Sequence, residues 1–176
     1  SSDLPNEMVF DYSYDGTMRA FEDSLQRLAL ERMDICFIHD IDVFTRGDEQ
    51  PEVFKQAMDG CWKALSQLRD EGVVKAIGVG VNEWQVCQAA LEARDFDCFL
   101  LAGRYTLLEQ EAQESFLPLC LEKGIGIILG GPYNSGILAT GAVEGARFNY
   151  QPAPPHIMER VRRIESVCAG HGVTLP

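Results

Sequence analysis

Met33-Asp34-Ile35-Cys36-Phe37-Ile38-His39-Asp40 is the stretch whose reading decides the fold. An apolar run ends abruptly in a histidine and an aspartate. Such a run reads as a buried strand, with the polar pair where the strand emerges. Upstream, an irregular segment extends to Tyr14, with Tyr12 and Tyr14 open as lining or plain loop residues. Asp15 or Thr17 can cap a helix there. Its apolar positions Met18, Phe21, Leu25 and Leu28 recur at helical spacing to about Leu30.

Downstream the same alternation repeats. After a polar loop from Thr45 to Gln50, Pro51 suits the first turn of a helix. Phe54, Ala57, Met58, Cys61, Leu65 and Leu68 form its stripe, and Gly72 ends it. A strand from Val74 to Val79 stops at Gly80-Val81-Asn82. Asn82 can cap a helix with Trp84, Cys87, Ala90 and Leu91 on its apolar face. Asp97 to Leu101 is a third strand, followed by a helix from about Gln110 to Glu122 that Pro118 bends or delays. Gly124 closes it, and Ile125 to Leu129 is the fourth strand. A loop rich in Gly, Ala and Tyr covers about 130 to 155. The prolines Pro152, Pro154 and Pro155 then set up a last helix carrying Ile157, Val161, Ile164 and Val167 or Cys168, and a further helix can begin near Val173 to Pro176.

Short apolar runs alternating with helices indicate α/β architecture with parallel strands covered by helices. A (β/α)8 barrel and an open doubly wound sheet both fit, and both bind ligands at the C-terminal ends of their strands. Those ends are His39-Asp40, Gly80-Val81-Asn82, Ala102-Gly103-Arg104-Tyr105 and Gly130-Gly131-Pro132-Tyr133.

Composition narrows the partners. The chain has 176 residues and a formal net charge of −12, which argues against nucleic acid or an anionic membrane surface as a partner. No apolar run approaches the ~20 residues of a membrane span, and Ser1 to Asn6 lack a signal peptide's basic and apolar regions. Six cysteines, none in a CxxC pair or a metal spacing, read as reduced core thiols of a cytoplasmic protein. Gly130 to Gly136 is no P-loop, because Ile137 stands where the lysine belongs. Glu83 takes the third glycine's place after Gly78 and Gly80. Asp40 and Asp42 read as a solvated loop pair, His156 and His171 as surface residues.

Three segments together resemble the aldo-keto reductase family. They are Ser24-Leu25-Gln26-Arg27-Leu28 leading into Met33 to His39, then Glu71-Gly72-Val73-Val74-Lys75-Ala76-Ile77-Gly78-Val79 followed by Asn82, then Lys123-Gly124-Ile125-Gly126 with Gly136-Ile137-Leu138. The resemblance runs over about residues 15 to 176, nearest the branch of sugar and pyridoxal dehydrogenases. It implies a (β/α)8 barrel that binds NAD or NADP, with residues 1–176 as strands four to seven of the family fold and their flanking helices. It implies His39 as the family's catalytic histidine and Asn82 as the nicotinamide carboxamide partner. Gly131, Tyr133, Ser135 and Gly136 fall on the loop along the cofactor pyrophosphate, and Arg104 and Tyr105 on the substrate side, although Arg104 can equally pair with a surface acid. No metal is implied, and oligomeric state stays open.

These residue types suit hydride transfer with a small carbonyl or sugar substrate. An imidazole donates a hydrogen bond to the reacting oxygen, whose charge changes. An amide side chain offers a carboxamide both donor and acceptor. Glycine-bearing backbone approaches phosphates closely. There are departures: Ala102-Gly103 replaces the family's Gln-Asn, and Gly130 its stacking tyrosine, for which Tyr133 or Tyr105 can substitute. The resemblance also implies that the family's Asp, Tyr and Lys lie on strands before Ser1, and the last strand beyond Pro176. Taken as complete, Ser1 to Pro176 is expected to transfer no hydride unless a second chain completes the barrel. The alternative reading is a non-catalytic α/β fragment that binds a nucleotide or a partner.

Overall fold

The computed structural model describes residues 9–175. The expectations for Ser1 to Asn6 and for Pro176 lie outside the described residues. The chain divides into two compact units at the Ile77–Gly78 bond.

In the first unit, α1 (Tyr14–Leu28) begins before either expected cap, Asp15 or Thr17. Ser13, not Asp15 or Thr17, is its N-cap, and the Ser13 hydroxyl accepts from the Gly16 N–H at 3.0 Å. Thr17 and Phe21 form its buried face, and Ala29 closes it in the left-handed region. β1 (Ile35–His39) follows. Only Ile38 is fully buried along it, so the strand is less covered than its apolar run suggested.

The expected polar loop from Thr45 to Gln50 is instead helical. α2 (Val43–Arg46) is capped by the buried Asp42, whose carboxylate accepts from the Thr45 N–H at 3.0 Å. A 3-10 turn (Gly47–Glu49) leads into α3 (Gln50–Gln56), with Pro51 in its first turn as expected. A π-helical turn (Ala57–Cys61) then passes the chain into α4 (Trp62–Asp70). Gly60 sits on that turn because a Cβ there would lie 2.5 Å from the Tyr12 carbonyl oxygen. The absent side chain lets the segment before α1 lie directly on the helix.

β2 (Ala76–Val81) begins in the first unit and runs on into the second, where α5 (Trp84–Ala93) follows. The N-cap position is Glu83, not the expected Asn82. β3 (Cys98–Ala102) comes next. Pro118 delays rather than bends the following helix: α6 (Phe116–Lys123) starts after a 3-10 turn (Glu111–Gln113) and holds Pro118 in its first turn, where its missing N–H leaves no bond unmade. Gly124 ends it at φ 68. β4 (Gly126–Gly130) completes the parallel set. β3 pairs with β2 from Gly78↔Cys98 to Val81↔Leu101, and with β4 from Cys98↔Gly126 to Ala102↔Gly130. Their C-terminal ends therefore lie on one side, as the alternation predicts.

The rest of the loop expected over 130 to 155 holds a short α7 (Ile137–Thr140) and a small antiparallel hairpin. The hairpin pairs β5 (Arg147–Phe148) with β6 (Gln151–Pro152). Its turn residues Asn149 and Tyr150 both have positive φ, 48° and 64°. α8 (Pro155–Gly170) packs Ile157 and Val161 against Leu108, Ile137 and Leu138. The main core of the unit gathers around Phe99, whose ring meets Phe116 edge-on at 5.3 Å and Phe96 at 5.6 Å. Each such buried side chain stabilises by about 1.5–3 kcal/mol relative to exposure.

The six thiols are all free. Cys61, Cys87, Cys98 and Cys120 are buried as expected, and Cys36 and Cys168 are half-buried.

Candidate functional site

The end of β1 is built by a polar clamp. The Tyr12 hydroxyl faces the carbonyl oxygens of His39 at 2.7 Å and Asp40 at 3.1 Å. Arg46 donates from Nη2 to the Tyr12 hydroxyl at 2.6 Å and from Nε to the Asp40 carbonyl at 2.7 Å. Its guanidinium also lies 3.9 Å from the Phe10 ring centroid. Burial pushes the Tyr12 phenol above its ordinary range, and the Arg46 charge opposes that. Tyr12 is thus a neutral donor that fixes backbone.

What the clamp fixes is unusual backbone. Asp40 has φ 55°, a region that costs a residue with a Cβ about 1–3 kcal/mol. The kink turns the His39 side chain to solvent, where it is 71% exposed. Its Nδ1 lies 3.0 Å from an Asp40 carboxylate oxygen, leaving Nε2 on the open side of the ring. A histidine so held can offer one nitrogen to a substrate oxygen. A separate apolar pocket of about 350 Å³ in the same unit is lined by Phe10, Phe21, Met33, Ile35 and Phe37 along with part of His39.

In the second unit, a cleft of about 160 Å³ opens at the ends of the parallel strands. Asn82, Ala102, Gly103, Gly131, Asn134, Ser135, Asn149 and Tyr150 line it. Three residues singled out from sequence, Asn82, Gly131 and Ser135, therefore come together. Gly136 follows directly as the N-cap of α7. Tyr133 is exposed outside the cleft, and Tyr105 borders neither this cleft nor its neighbour. Arg104 lines that neighbouring cleft with Glu83, Trp84, Gln85, Glu109 and Glu111, and donates to the Asn149 side-chain oxygen at 3.1 Å.

Asn134 was not legible as a site residue. It is 3% exposed, has φ 47°, and donates from Nδ2 to the Gly103 carbonyl at 3.1 Å. That bond ties the loop after β4 to the end of β3, beside the Gly103 N–H to Gly130 carbonyl bond of 2.8 Å. Its Oδ1 is buried with no hydrogen-bond partner among the described residues. A buried amide oxygen left unpaired costs about 1–3 kcal/mol. The cleft's inventory of amides, a hydroxyl and close glycine backbone suits a polar ligand with a carboxamide.

A four-stranded sheet with helical crossovers and a polar cleft at the strand ends define an α/β chain that binds ligands at the C-terminal ends of its strands. The family model for the aldo/keto reductase family matches residues 3–176, and the chain belongs to that family. It is 44% identical over 169 residues to a pyridoxal 4-dehydrogenase of Microbacterium luteolum, covering 95% of this chain and 49% of that protein. It is 36% identical over 168 residues to a D-threo-aldose 1-dehydrogenase of a Pseudomonas species, again 95% of this chain and 49% of the relative. The chain thus spans about half the length of these curated relatives. Among solved structures, a glycerol dehydrogenase of Gluconobacter oxydans superposes with a TM-score of 0.60 at 19% identity, over 99% of this chain and 53% of its own, a likeness of fold. Among the described residues no helix is long and apolar enough to cross a membrane.

Proposed function

We propose that the protein is an NAD(P)-dependent oxidoreductase that transfers a hydride between nicotinamide and a sugar hemiacetal, aldehyde or alcohol. The observation that carries this reading is the cleft at the ends of β3 and β4, which Asn82, Gly131, Asn134 and Ser135 line together. On this reading β1 to β4 correspond to strands four to seven of the family barrel.

The dinucleotide supplies or accepts the hydride when bound. Asn82 offers its amide to the carboxamide. Backbone around Gly131 and Gly136, with Ser135 and Tyr133, would hold the pyrophosphate. His39 donates a hydrogen bond to the substrate oxygen and orients it, with Asp40 steadying the imidazole. Arg104 and Tyr105 border the substrate. The names of the two curated relatives favour an aldose or a pyridoxal as substrate. The six free thiols suit a reducing, cytoplasmic setting.

A second reading is a nucleotide-binding chain without turnover, because His39 is the only one of the family's four catalytic groups that the resemblance places on this sequence. One experiment separates them. NADH and NADPH are titrated against the chain by fluorescence, and the nicotinamide absorbance is then followed with a panel of aldoses, pyridoxal and simple aldehydes. Binding with turnover supports the first reading, and binding without turnover the second. No binding of either dinucleotide sinks both.

A further inference from the structure

His39 is the last residue of β1 and Asp40 follows it, yet their side chains meet: His39 Nδ1 lies 3.0 Å from an Asp40 carboxylate oxygen. Consecutive side chains of an extended strand point to opposite faces. The contact therefore exists because the chain turns at Asp40, whose φ is 55°. That turn is held from outside. The Tyr12 hydroxyl donates to the His39 carbonyl at 2.7 Å and lies 3.1 Å from the Asp40 carbonyl. Arg46 donates from Nε to the Asp40 carbonyl at 2.7 Å and from Nη2 to the Tyr12 hydroxyl at 2.6 Å. Tyr12 is buried, so the clamp is anchored in packed structure, while the His39 ring that it serves is open to solvent.

The contact decides where the ring keeps its proton. A carboxylate offers acceptors only, so the nitrogen facing it carries hydrogen. In a neutral imidazole the other nitrogen, Nε2, is then an unprotonated acceptor. We infer that Tyr12 and Arg46 are positioning residues which, by holding the turn at Asp40, fix His39 as the Nδ1–H tautomer with the Nε2 lone pair on its open side. The proton pattern follows from the geometry of the first unit alone. Its use rests on the proposed oxidoreductase reading. The neutral ring accepts from the hydroxyl of a hemiacetal or alcohol, and the imidazolium, with hydrogen on both nitrogens, donates from Nε2 to a carbonyl oxygen. One proton on the ring thereby chooses which oxygen His39 recognises.

The test reads the ring nitrogens directly. The intact chain is prepared with isotopically labelled histidine, and nuclear magnetic resonance correlations between ring nitrogens and carbon-bound ring protons show which nitrogen carries hydrogen. The spectra are taken well above the ordinary histidine range, where imidazole is neutral. The chain has three histidines, and His39→Gln assigns the signal by its loss. The parent is expected to favour Nδ1–H over Nε2–H by about tenfold, a ratio that one hydrogen bond to a charged group supports. Asp40→Asn keeps a residue type that tolerates positive φ but can turn an N–H to the ring, and it is expected to lose or reverse the preference. Tyr12→Phe removes only a hydroxyl, and it is expected to lose the preference although Asp40 is untouched. A clamp that served stability alone would lower the unfolding free energy and leave the tautomer ratio where it was.

A parent ring with its hydrogen on Nε2 overturns the inference outright. A Tyr12→Phe chain that keeps the parent's ratio overturns the role given to the clamp. Should Tyr12→Phe fail to fold by circular dichroism, Arg46→Lys is read in its place. It keeps the charge but lacks the fork that bonds the Asp40 carbonyl and the Tyr12 hydroxyl together, and an unchanged ratio there overturns the clamp's role equally. The measurement needs no cofactor. A chain that binds no dinucleotide would therefore sink the oxidoreductase reading, and with it the use of Nε2, while the tautomer result stands or falls by itself.

Discussion

β3 and β4 are paired residue for residue, yet they meet opposite fates. β3 buries Cys98, Phe99 and Leu101, while β4 leaves Ile128 and Leu129 at 42% and 43% exposure. Their sequences, Cys98-Phe99-Leu100-Leu101-Ala102 and Gly126-Ile127-Ile128-Leu129-Gly130, are equally apolar. Parallel pairing satisfies the backbone of both strands, but only neighbouring elements can cover side chains. β3 lies between two strands and beneath Phe96 and Phe116; β4 has one pairing partner among the described residues. A hydropathy pattern therefore marks a strand without saying how much of it is covered.

The strand ends differ in a related way. At the end of β1 the backbone is pinned by Tyr12 and Arg46, so that the histidine is presented outward. At the ends of β3 and β4 a buried asparagine ties backbone to backbone and leaves an acceptor over. One end presents a side chain; the other builds a recess.

The largest effect expected from breaking this contrast is catalytic. If the proposed function holds, in a protein that also carries the family's other catalytic groups, His39→Gln should lower kcat by roughly 10²–10⁴-fold in a turnover assay at the nicotinamide band. Unchanged turnover would mean that β1 presents its histidine for some other purpose. Next comes the packing contrast. Phe99→Ala should cost about 3–5 kcal/mol in urea unfolding, because it empties the middle of the aromatic cluster.

Alkaline pH offers a third handle. Burial pushes the Cys61 and Cys120 thiols up to about 11 from 9.0. The unfolded thiols then release protons while the folded ones keep theirs. The unfolded state binds fewer protons over that window, so stability falls as pH rises from about 9 to about 11, by on the order of 1–3 kcal/mol per thiol. The unfolding free energy of Cys61→Ala/Cys120→Ala should lose this slope. A slope identical to the parent's would assign the loss to other groups.

Tyr12→Phe should cost about 1–3 kcal/mol, since it strips a half-buried clamp of its donor and leaves Arg46 short of an acceptor. The smallest effect belongs to β4. Leu129→Ala should cost under about 1 kcal/mol in the same urea experiment, as exposed positions do. A cost near that of Phe99→Ala would show that this face is covered in solution, and the contrast between the two strands would disappear.

Much of this was legible in sequence because it depends on local rules. Apolar runs marked the four strands, Pro51 lies in a first helical turn, and Gly124 closes a helix as its position predicts. What escaped depends on competition or on distance. Ser13, Asp15 and Thr17 are all competent caps within five residues, and it is Ser13 that accepts from the Gly16 N–H. The helix at Val43 carries no apolar stripe; it exists because a buried carboxylate at Asp42 caps it. The hairpin hid because Asn149-Tyr150 lacks the glycine that marks such turns. Asn134 hid because an asparagine among glycines reads as a turn residue, while its bond to Gly103 spans 31 positions of sequence.

The central claim is that the cleft at the ends of β3 and β4 binds the nicotinamide end of a dinucleotide. Its most direct test is the affinity of the intact chain for NADH, compared with that of Asn82→Ala, by titration of nicotinamide fluorescence. The account expects the parent chain to bind and Asn82→Ala to bind about tenfold or more weakly, as expected for losing hydrogen bonds to a buried amide. A parent chain that does not bind, or an Asn82→Ala chain that binds equally well, would contradict it.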